Sequence, residues 1–422
     1  MVGAGVAGIT AAYTLATAGA KVVLLERGPY PGAKNMSGGA VYSLPTQEIV
    51  PGFWQSAPVE RVLVDQQYWL LSEKSAVKLG FTSSELKNSP YNKFSILRST
   101  FDRWYASKAV EAGATLWAGC QADSLLMDGK RVTGVRVSGT QSGDVKADIV
   151  ILAQGVNPLL AEKAGVFDKP KAGNCTLYVK EIIALPEETI NERFHLEGNQ
   201  GAVIGLLGDN TANLLGTGSI YTFKKYIGIN TGVSVKILAD KKVNLGELMA
   251  RLKRHPVVQP LIKGGTTVEF LAHMIPEGGY KALPSVLFDG MMVVGDAAGL
   301  VNGTHGLNLA MYSGKYAAET AVEALKKGNC SHAALKVYRE KLENSFVLKD
   351  LKDNKKVPGW FTKNPTLLDD YIGLLNHVAL QMAMVYPVPR REKRRLIRRE
   401  VLAARPLRKL LIDAFHAVRV TR

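Results

Sequence analysis

The sequence predicts an α/β protein in which a Rossmann-like dinucleotide-binding domain is interrupted by an inserted, mostly β domain and followed by a helical C-terminal tail. Three observations predict this class. A glycine-rich motif opens the chain, a Gly-Asp motif lies near residue 300, and strand-like runs dominate the segment between about 170 and 285. This order predicts that the chain leaves the first domain and later returns to it.

The opening glycine motif predicts a phosphate-binding turn. Residues 3–8 read Gly-Ala-Gly-Val-Ala-Gly and run into an alanine-rich helical pattern at residues 9–16. The glycines permit a tight turn, close approach of the backbone to a pyrophosphate and close helix–strand packing, while the helix N-terminus supplies N–H groups. Runs of glycine and alanine also occur at ordinary strand–helix turns, so the motif alone does not identify a phosphate site.

Support comes from Glu26, which ends an apolar run at residues 21–26 that is typical of a buried strand. Glu26 lies close to the offset of about 20 residues after the motif that is expected of a ribose-binding carboxylate. A solvated glutamate at the end of a strand is the alternative interpretation. We therefore expect Glu26 and its neighbour Arg27 to contact a dinucleotide cofactor.

The second motif changes the predicted cofactor. A short apolar run at residues 291–294 leads into Gly295-Asp296-Ala297-Ala298-Gly299, and a helical pattern follows from residue 308. A protein that binds only NAD has no use for this distant element, whereas the long FAD molecule needs a second carboxylate and helix N-terminus. The alternative is that Asp296 only caps the helix. The two motifs together predict an FAD-binding domain of the glutathione-reductase type.

The pattern between the motifs predicts the domain organisation. Residues 132–137 alternate as a strand, and residues 147–153 return to the buried sheet. Residues 170–285 contain strand-like runs and little helix beyond residues 246–255, which predicts a substrate or partner domain. The predicted boundaries are 1–169 for the first part of the FAD-binding domain, 170–285 for the inserted domain, 286–340 for the return segment and 341–422 for a helical, basic docking region.

Arg98 is a candidate phosphate ligand. It precedes a helical pattern that ends at Gly113, with Thr100 or Asp102 as candidate caps. The Arg98 guanidinium either reaches a phosphate with two hydrogen bonds or pairs with an acid, and the neighbouring motifs favour the phosphate. A loop rich in glycine, proline and asparagine at residues 28–39 can bring backbone close to a flat ring.

Composition indicates a globular protein of a reducing compartment. The chain has 422 residues, 46% of them hydrophobic, and its three cysteines form no C-x-x-C motif. An iron–sulfur cluster usually needs four thiolates, so we expect no cluster and no other metal site in this chain. We expect a cytoplasmic protein, since there is no signal peptide and no apolar run of membrane-spanning length.

The charge is concentrated at the C-terminus. The chain carries a formal net charge of +16, and most of it lies in residues 390–422. A basic tail often binds nucleic acid, but this one follows an apolar stretch at residues 371–386, a pattern typical of proteins that lie on an anionic leaflet. We expect no nucleic-acid partner and peripheral contact with the inner face of the cell membrane. A core helix followed by a solvated basic helix is the alternative.

Short motifs in a fixed order carry a family resemblance. They are Gly32-Ala33-Lys34-Asn35-Met36-Ser37-Gly38-Gly39, Ala57-Pro58-Val59-Glu60-Arg61, Val179-Lys180-Glu181, Gly198-Asn199-Gln200-Gly201, His255-Pro256, Ala272-His273-Met274-Ile275-Pro276-Glu277-Gly278-Gly279 and Gly295-Asp296-Ala297-Ala298-Gly299. Together they resemble the FixC family, relatives of electron-transfer-flavoprotein:quinone oxidoreductase. The resemblance implies an FAD-dependent oxidoreductase that passes electrons from an electron-transfer flavoprotein towards quinone. The full-length quinone oxidoreductases end in a ferredoxin-like segment that this chain lacks, which implies a small separate ferredoxin-like iron–sulfur subunit.

The chain departs from the family pattern in two places. Only Met1 and Val2 precede the first glycine, so most of the opening strand is missing and we expect truncation. The loop at residues 301–308 is shorter than in the family, and we expect His305 to be a structural loop residue rather than a proton donor.

In electron transfer the cofactor carries out the chemistry, and the protein positions it and tunes its potential. We therefore predict no catalytic acid or base. Ala122 is included among the cofactor contacts because residues 118–122 follow the strand before the adenine side in this fold. The predicted contacts are Gly3, Gly5, Val6, Ala7, Glu26, Arg27, Lys34, Ser37, Arg98, Ala122, Gly155, Gly295, Asp296, Gly306 and Leu307.

Other classes of flavoprotein are the alternative interpretations of the function. Flavin monooxygenases of this fold carry Asp-Gly and a nearby arginine after the strand at residues 148–153, whereas this chain has Gln154-Gly155-Val156-Asn157-Pro158 there. A prenyl-lipid reductase of the geranylgeranyl type, using NAD(P)H, stays open because it too would be basic and peripheral to the membrane. A scaffold without activity is a third alternative.

Overall fold

The structure is a computed structural model, and it describes residues 1–165, 170–303, 306–364 and 366–420. The strands, in chain order, are β1 (Val23–Glu26), β2 (Gly39–Tyr42), β3 (Val59–Leu71), β4 (Ala76–Thr82), β5 (Lys93–Ile96), β6 (Thr115–Ala118), β7 (Cys120–Asp128), β8 (Arg131–Gly139), β9 (Gly143–Lys146), β10 (Val150–Leu152), β11 (Cys175–Ala184), β12 (Gln200–Gly208), β13 (Gly216–Thr222), β14 (Tyr226–Ser234), β15 (Thr266–Pro276), β16 (Leu287–Phe288) and β17 (Met291–Val293). The α-helices are α1 (Val6–Thr17), α2 (Ser43–Gln47), α3 (Arg98–Glu111), α4 (Leu159–Lys163), α5 (Glu187–Phe194), α6 (Val235–Lys241), α7 (Leu245–Arg254), α8 (Gln259–Ile262), α9 (Gly306–Lys326), α10 (His332–Asn344), α11 (Phe346–Asp353), α12 (Val357–Lys363), α13 (Leu367–Ala383), α14 (Arg390–Ala404) and α15 (Leu407–Val420).

The predicted α/β class with a helical C-terminal region is confirmed. The chain divides into two compact units. The predicted domain boundaries after residues 169, 285 and 340 stay a prediction. The first unit comprises Met1–Leu63, Ser84–Leu177 and Leu271–Lys352, and the second comprises Val64–Ser83, Tyr178–Phe270 and Asp353–Arg422.

Parallel strands form the centre of the first unit. β1 pairs with β6, with Glu26 opposite Ala118, and β10 pairs with β17. Val2 makes parallel bridges to Leu25 on one side and to Leu152 on the other. Val2 therefore holds the sheet position expected of the opening strand. β10 and β17 are buried along their whole length, which agrees with the continuous apolar runs that predicted them.

Helices α1, α3 and α9 pack together beside the glycine motif. A Cβ atom on Gly314 of α9 would lie 2.2 Å from the carbonyl oxygen of Ala7, so only glycine allows α9 to approach α1 this closely. α3 packs on α1 where the Thr10 Oγ1 and Tyr105 hydroxyl oxygens lie 2.7 Å apart. These contacts hold the first two turns of α1, one on the side of α9 and one on the side of α3.

Antiparallel strands complete the first unit. β7, β8 and β9 pair in sequence order. β5 pairs with β2 and with the first residues of β3. β2 directly follows the loop at residues 28–38, so the pairing of β2 with β5 anchors the end of that loop.

The second unit contains an antiparallel sheet. β12, β13 and β14 pair in order, and residues 65–71 of β3 pair with β4. α7 packs against β14, and α13 packs against β12 and β4. The expectation of little helix beyond residues 246–255 is wrong, because the inserted segment also forms α5, α6 and α8. α6 is seven residues long and none of its residues is fully buried, so it is too short to show a helical apolar period.

A buried arginine fastens the C-terminal helices to α13. Arg405 is 6% exposed, and its Nη1 donates to Asp370 at 2.8 Å while its Nε donates to Asp413 at 2.9 Å. The Tyr371 hydroxyl also donates to Asp413, at 3.0 Å. Because these residues belong to α13, to the end of α14 and to α15, one cluster joins the three helices.

α15 presents an exposed apolar stripe. Leu407, Leu411, Phe415 and Val418 are between 52% and 64% exposed. Their spacing of three and four residues places them on one side of the helix. Across residues 1–165, 170–303, 306–364 and 366–420, no helix is both long enough and apolar enough to cross a membrane.

Candidate functional site

The N-terminus of α1 faces an open space that the glycine motif creates. Gly3 has a φ of +103°, and a Cβ there would lie 2.4 Å from the carbonyl oxygen of Ala153. A Cβ on Gly8 would lie 1.9 Å from the carbonyl oxygen of Gly3, whereas a Cβ on Gly5 would meet none of the described atoms within 4 Å. Packing therefore requires Gly3 and Gly8, and Gly5 keeps the helix end open.

The open helix end is suited to an anion. Gly5 is the N-cap of α1, and none of the side chains that the structure describes caps this helix. The first N–H groups of a helix lack partners within it and carry positive potential. The N–H groups at Val6 and Ala7 belong to this first turn. A phosphate oxygen is the ligand that such a turn binds most readily.

Glu26 lies over the glycine motif at the carboxyl end of β1. Its Oε2 accepts a hydrogen bond from the Ala4 N–H at 3.1 Å, and its Oε1 accepts one from the Gly28 N–H at 2.6 Å. These bonds fix the carboxylate and leave each oxygen with further capacity to accept. A pair of vicinal hydroxyl groups fits this arrangement. Arg27, the next residue, is exposed.

Two further predicted contacts, Gly155 and Ala122, follow or belong to strands of the first unit. Gly155, which follows β10, has a φ of +71° and no described atom within 4 Å of a Cβ placed there. The Gly119 N–H donates to the Gly28 carbonyl at 2.8 Å, which places the start of β7 beside the residues that follow Glu26. Ala122 is a half-buried residue of β7.

The Gly-Asp motif meets the glycine motif. Gly295 and Asp296 begin a short 3-10 helix after β17. The Gly295 N–H donates to Ser313 Oγ at 2.9 Å, and a Cβ on Gly295 would lie 3.0 Å from Ala7 Cβ. The structure therefore brings together two motifs that are almost 300 residues apart in the sequence. Gly306 and Leu307 open α9, while His305 lies outside the described residues.

Arg98 pairs with an acid, which was the alternative interpretation of its role. Its Nε and Nη2 donate to the two carboxylate oxygens of Asp102, each at 2.7 Å. The prediction that Thr100 or Asp102 caps α3 is wrong. Leu97 is the N-cap, no described side chain caps the helix, and Asp102 lies in its second turn with none of its surface exposed.

Arg98, His273 and Asp296 interact electrostatically. Burial raises the pKa of Asp296, while the charges of His273 and Arg98 oppose the rise. Burial also lowers the pKa of His273, and Arg98 lowers it further against the opposing effect of Asp296. Burial alone would lower the pKa of Arg98, but Asp102 and Asp296 reverse this and raise it. Arg98 is therefore a cation held in one position. Asp296 is a buried carboxylate whose charged form a nearby hydrogen-bond donor or cation would stabilise.

The loop at residues 28–39 contributes the remaining predicted contacts. Ser37 is 3% exposed and Lys34 is exposed. Asn35 Nδ2 donates to Asp102 Oδ2 at 2.5 Å, which ties the loop to α3. No local sequence pattern predicts a role in this site for Asn35, Ser313 or His273, and spacing predicts Asp102 only as a helix cap. Asn35 and His273 lie in the family motifs at residues 32–39 and 272–279, but a motif does not show which residues its side chains contact.

These residues fit a long dinucleotide. One end of the site offers helix N–H groups, a fixed carboxylate and glycine-made space, and the other offers Asp296 and the N-terminus of α9. Both ends lie in the first unit. A pyrophosphate, a ribose and a polyhydroxylated chain are the groups that this donor and acceptor set would hold.

Comparisons with known proteins identify the family. Residues 1–166 match the family described as FAD dependent oxidoreductase, and residues 357–422 match the ETF-QO/FixC family C-terminal domain. The chain is 41% identical over 418 residues to Protein FixC of Azotobacter vinelandii, covering 98% of this chain and 96% of that protein. It is 39% identical over 383 residues to Protein FixC of Escherichia coli (strain K12), covering 90% of this chain and 88% of that protein.

Solved structures share the fold at low identity. A geranylgeranyl bacteriochlorophyll reductase-like protein from Thermoplasma acidophilum superposes with a TM-score of 0.73 at 20% identity, covering 96% of each chain. A flavin-dependent brominase superposes with a TM-score of 0.64 at 16% identity, covering 89% of this chain and 92% of that one. These likenesses support the fold alone. The full-length similarity to the FixC proteins shows that this chain is an FAD-dependent oxidoreductase and belongs to the FixC family.

Proposed function

We propose that this protein accepts electrons from an electron-transfer flavoprotein and passes them towards quinone, together with a separate ferredoxin-like iron–sulfur subunit. The observation that carries the proposal is the similarity to FixC proteins along almost the whole chain, including a C-terminal domain that the family shares with the quinone oxidoreductases. FAD, when bound, accepts and donates electrons singly or in pairs.

In this proposal the first unit holds the cofactor. The N–H groups at the start of α1 donate to the pyrophosphate, Glu26 accepts from the adenosine ribose, and Asp296 with the first turn of α9 holds the ribityl end. The other contacts keep their predicted roles, with Arg98 reaching a phosphate through the nitrogen that Asp102 leaves free. The proposed further contacts are Gly3, Gly5, Val6, Ala7, Arg27, Lys34, Ser37, Ala122, Gly155, Gly295, Gly306 and Leu307.

The cysteines support a separate iron–sulfur subunit. The sequence has three of them, Cys120, Cys175 and Cys330, and all are buried and free. Clusters are usually held by four thiolates. A one-electron relay between this flavoprotein and its partners is therefore proposed to lie on another chain.

The C-terminal region is proposed to dock the protein on an anionic leaflet. The apolar stripe of α15 lies in the most basic part of the chain, next to the arginine-rich α14. Apolar side chains and cations on one helical region give the combination that binds the interface of an anionic membrane. The same charges would attract an acidic partner subunit, which the experiments must separate from lipid.

Electron donors distinguish the proposed function from its rivals. The purified flavoprotein is mixed anaerobically with a recombinant electron-transfer flavoprotein reduced by dithionite, or with NADPH, and the flavin absorbance is followed. We expect oxidation of the electron-transfer flavoprotein, and reduction of a short-chain quinone when a ferredoxin-like subunit is added. Rapid flavin reduction by NADPH and none by the electron-transfer flavoprotein would contradict the proposal and favour a reductase or monooxygenase.

A further inference from the structure

We infer that Asp102 is a positioning residue of the FAD site, which holds Arg98 and the loop at residues 28–39 in a single arrangement. The inference rests on the proposed placement of FAD in the first unit. Asp102 is fully buried in α3 and accepts hydrogen bonds from both Arg98 and Asn35. A carboxylate without exposed surface is costly unless it is paired and hydrogen-bonded, so its partners define its role.

Asp102 sets the direction of the Arg98 side chain. The Nε and Nη2 edge of the guanidinium is occupied by the two carboxylate oxygens, and the side chain is 17% exposed. The planar guanidinium cannot turn without breaking both bonds. Its Nη1 therefore keeps a fixed direction, and its charge acts on Asp296. Arg98 is thus a pre-oriented cation rather than a mobile one.

Asp102 also fixes the loop that leads to Ser37. Asn35 Nδ2 donates to the same oxygen that accepts from Arg98 Nη2. Gly32 lies against the start of α3, where a Cβ would come within 2.5 Å of the Arg98 carbonyl oxygen. The Arg103 guanidinium lies 4.0 Å from the centre of the Tyr30 ring. The loop is therefore seated on α3, and Asp102 supplies the charged contact.

One carboxylate thus connects the two ends proposed for the cofactor. The loop runs from Gly28, which donates to Glu26, to Ser37, which is buried before β2. The charge of Arg98 acts on Asp296 and His273. Loss of the Asp102 charge would release the Arg98 guanidinium and the loop together, without removing any group proposed to touch FAD.

The test is an isosteric substitution measured by FAD binding. In Asp102→Asn, the new amide presents a donor to groups that are themselves donors, so only part of the network survives. We expect the FAD dissociation constant of the apoprotein to rise about tenfold to a hundredfold, as for loss of a hydrogen bond to a charged group. Asp144→Asn is the matched control, because Asp144 binds Nε and Nη2 of Arg136 in the same geometry but exposed to solvent.

Non-additivity separates positioning from general stability. If Asp102 acts through Arg98, the loss in Asp102→Asn shrinks in an Arg98→Ala background, while the melting temperature of each apoprotein is recorded separately. Full additivity of the two losses, or equal FAD affinity in Asp102→Asn and Asp144→Asn, would overturn the inference. Should Asp102→Asn not fold, Asn35→Ala breaks the loop contact alone. We then expect a several-fold weaker FAD affinity and altered visible circular dichroism of the bound flavin, and unchanged values would overturn the loop role. None of these readouts uses an electron donor, so they are independent of the proposed electron transfer.

Discussion

At the scale of single residues, the three glycines of the opening motif do different work. Gly3 and Gly8 are needed by the fold itself, since a Cβ at either would meet backbone oxygen, whereas Gly5 has ordinary φ and space around it. A side chain at residue 5 therefore fits the protein but occupies the place proposed for the pyrophosphate. Substitutions within residues 3–8 can therefore distinguish an effect on folding from an effect on cofactor binding.

This contrast gives the first prediction. Gly5→Val should yield a protein with near-normal circular dichroism and melting temperature of its apo form, but without bound flavin. Gly8→Val should instead unfold or fail to accumulate, because the clash with the Gly3 carbonyl oxygen at 1.9 Å cannot be relieved by a side-chain movement. The measurements are the visible flavin spectrum and far-ultraviolet circular dichroism. A yellow Gly5→Val protein with a normal flavin spectrum would remove the glycine motif as the phosphate site.

Glu26 gives the second prediction. Glu26→Ala should lower FAD affinity more than stability, because the ribose would lose a charged acceptor worth about 1.5–3 kcal/mol. Flavin retained after dialysis, compared with the melting temperature of the apoprotein, measures the two effects. Glu111→Ala is the control, since Glu111 forms an exposed pair with Lys108 in the same unit. Full flavin occupancy in Glu26→Ala would show that Glu26 is not the ribose ligand.

Lys180 gives a prediction about pH. It lies on β11 at 3% exposure, its Nζ is 4.9 Å from the centre of the Tyr221 ring, and burial lowers its pKa to about 7. Between this pKa and the ordinary lysine value of 10.5, the unfolded chain binds more protons than the folded one. The free energy of unfolding therefore rises with pH in this window, by at most about 1.4 kcal/mol per pH unit from this group.

Urea unfolding at pH 7.5 and pH 9.5 tests the Lys180 prediction. Lys180→Met should remove most of the rise in the free energy of unfolding between the two pH values. Lys236→Met, at an exposed lysine paired with Asp240, should leave the rise unchanged. If wild type and Lys180→Met gain the same stability on raising the pH, the buried amine is not the group that titrates.

At the scale of secondary-structure elements, Arg405 determines how firmly α14 and α15 are held. Its hydrogen bonds reach Asp370 of α13 and Asp413 of α15. Arg405→Met should leave both carboxylates without this cation. We expect the free energy of unfolding to fall by about 1–3 kcal/mol, because solvent only partly screens these ion pairs. We expect faster amide hydrogen exchange in α15, with α1 and the bound flavin unaffected. Arg136→Met, which breaks an exposed pair, is the control and should leave exchange in α15 unchanged. The same unchanged exchange in Arg405→Met would contradict the role of Arg405.

The elements also show where sequence reasoning succeeds and where it ends. Apolar runs predicted the buried strands β10 and β17, because such strands repeat one chemical pattern over their whole length. Helix α6 could not be predicted in this way, since its seven residues are too few to repeat a helical apolar pattern. Asp102 looked like a cap because spacing alone cannot show whether a carboxylate near a helix start points along the axis or into the core. Its contact with Asn35 depends on the course of a loop that no local pattern encodes.

At the scale of the whole molecule, the proposed docking surface and the cofactor site belong to different units. The contacts placed around FAD lie in the first unit, and α13, α14 and α15 lie in the second. The sequence predicted both features from the glycine motifs and from the charge distribution. It could not predict that α15 exposes an apolar stripe, since an apolar periodicity is equally typical of a helix packed in a core.

This separation gives the last prediction. Deleting residues 390–422 should leave FAD bound but abolish salt-sensitive co-sedimentation with phosphatidylglycerol vesicles, to which each nearby Lys or Arg contributes about 1 kcal/mol. Replacing Leu411 and Phe415 by serine should weaken vesicle binding also at high salt, where charge attraction is screened. Binding to phosphatidylcholine vesicles is the control. If truncation changes neither curve, the tail is a solvated basic helix, and if only a partner subunit is lost, the surface serves protein rather than lipid.

The contact between Gly314 and Ala7 links the packing of two helices to the proposed cofactor site. The absence of one methyl group at residue 314 sets the spacing between α9 and α1, and hence between the two ends of the cofactor site. The methyl group of an alanine at that position would lie 2.2 Å from the Ala7 carbonyl oxygen, so α9 would have to move away from α1. The geometry of the proposed FAD site therefore depends on a glycine that is not among the predicted cofactor contacts.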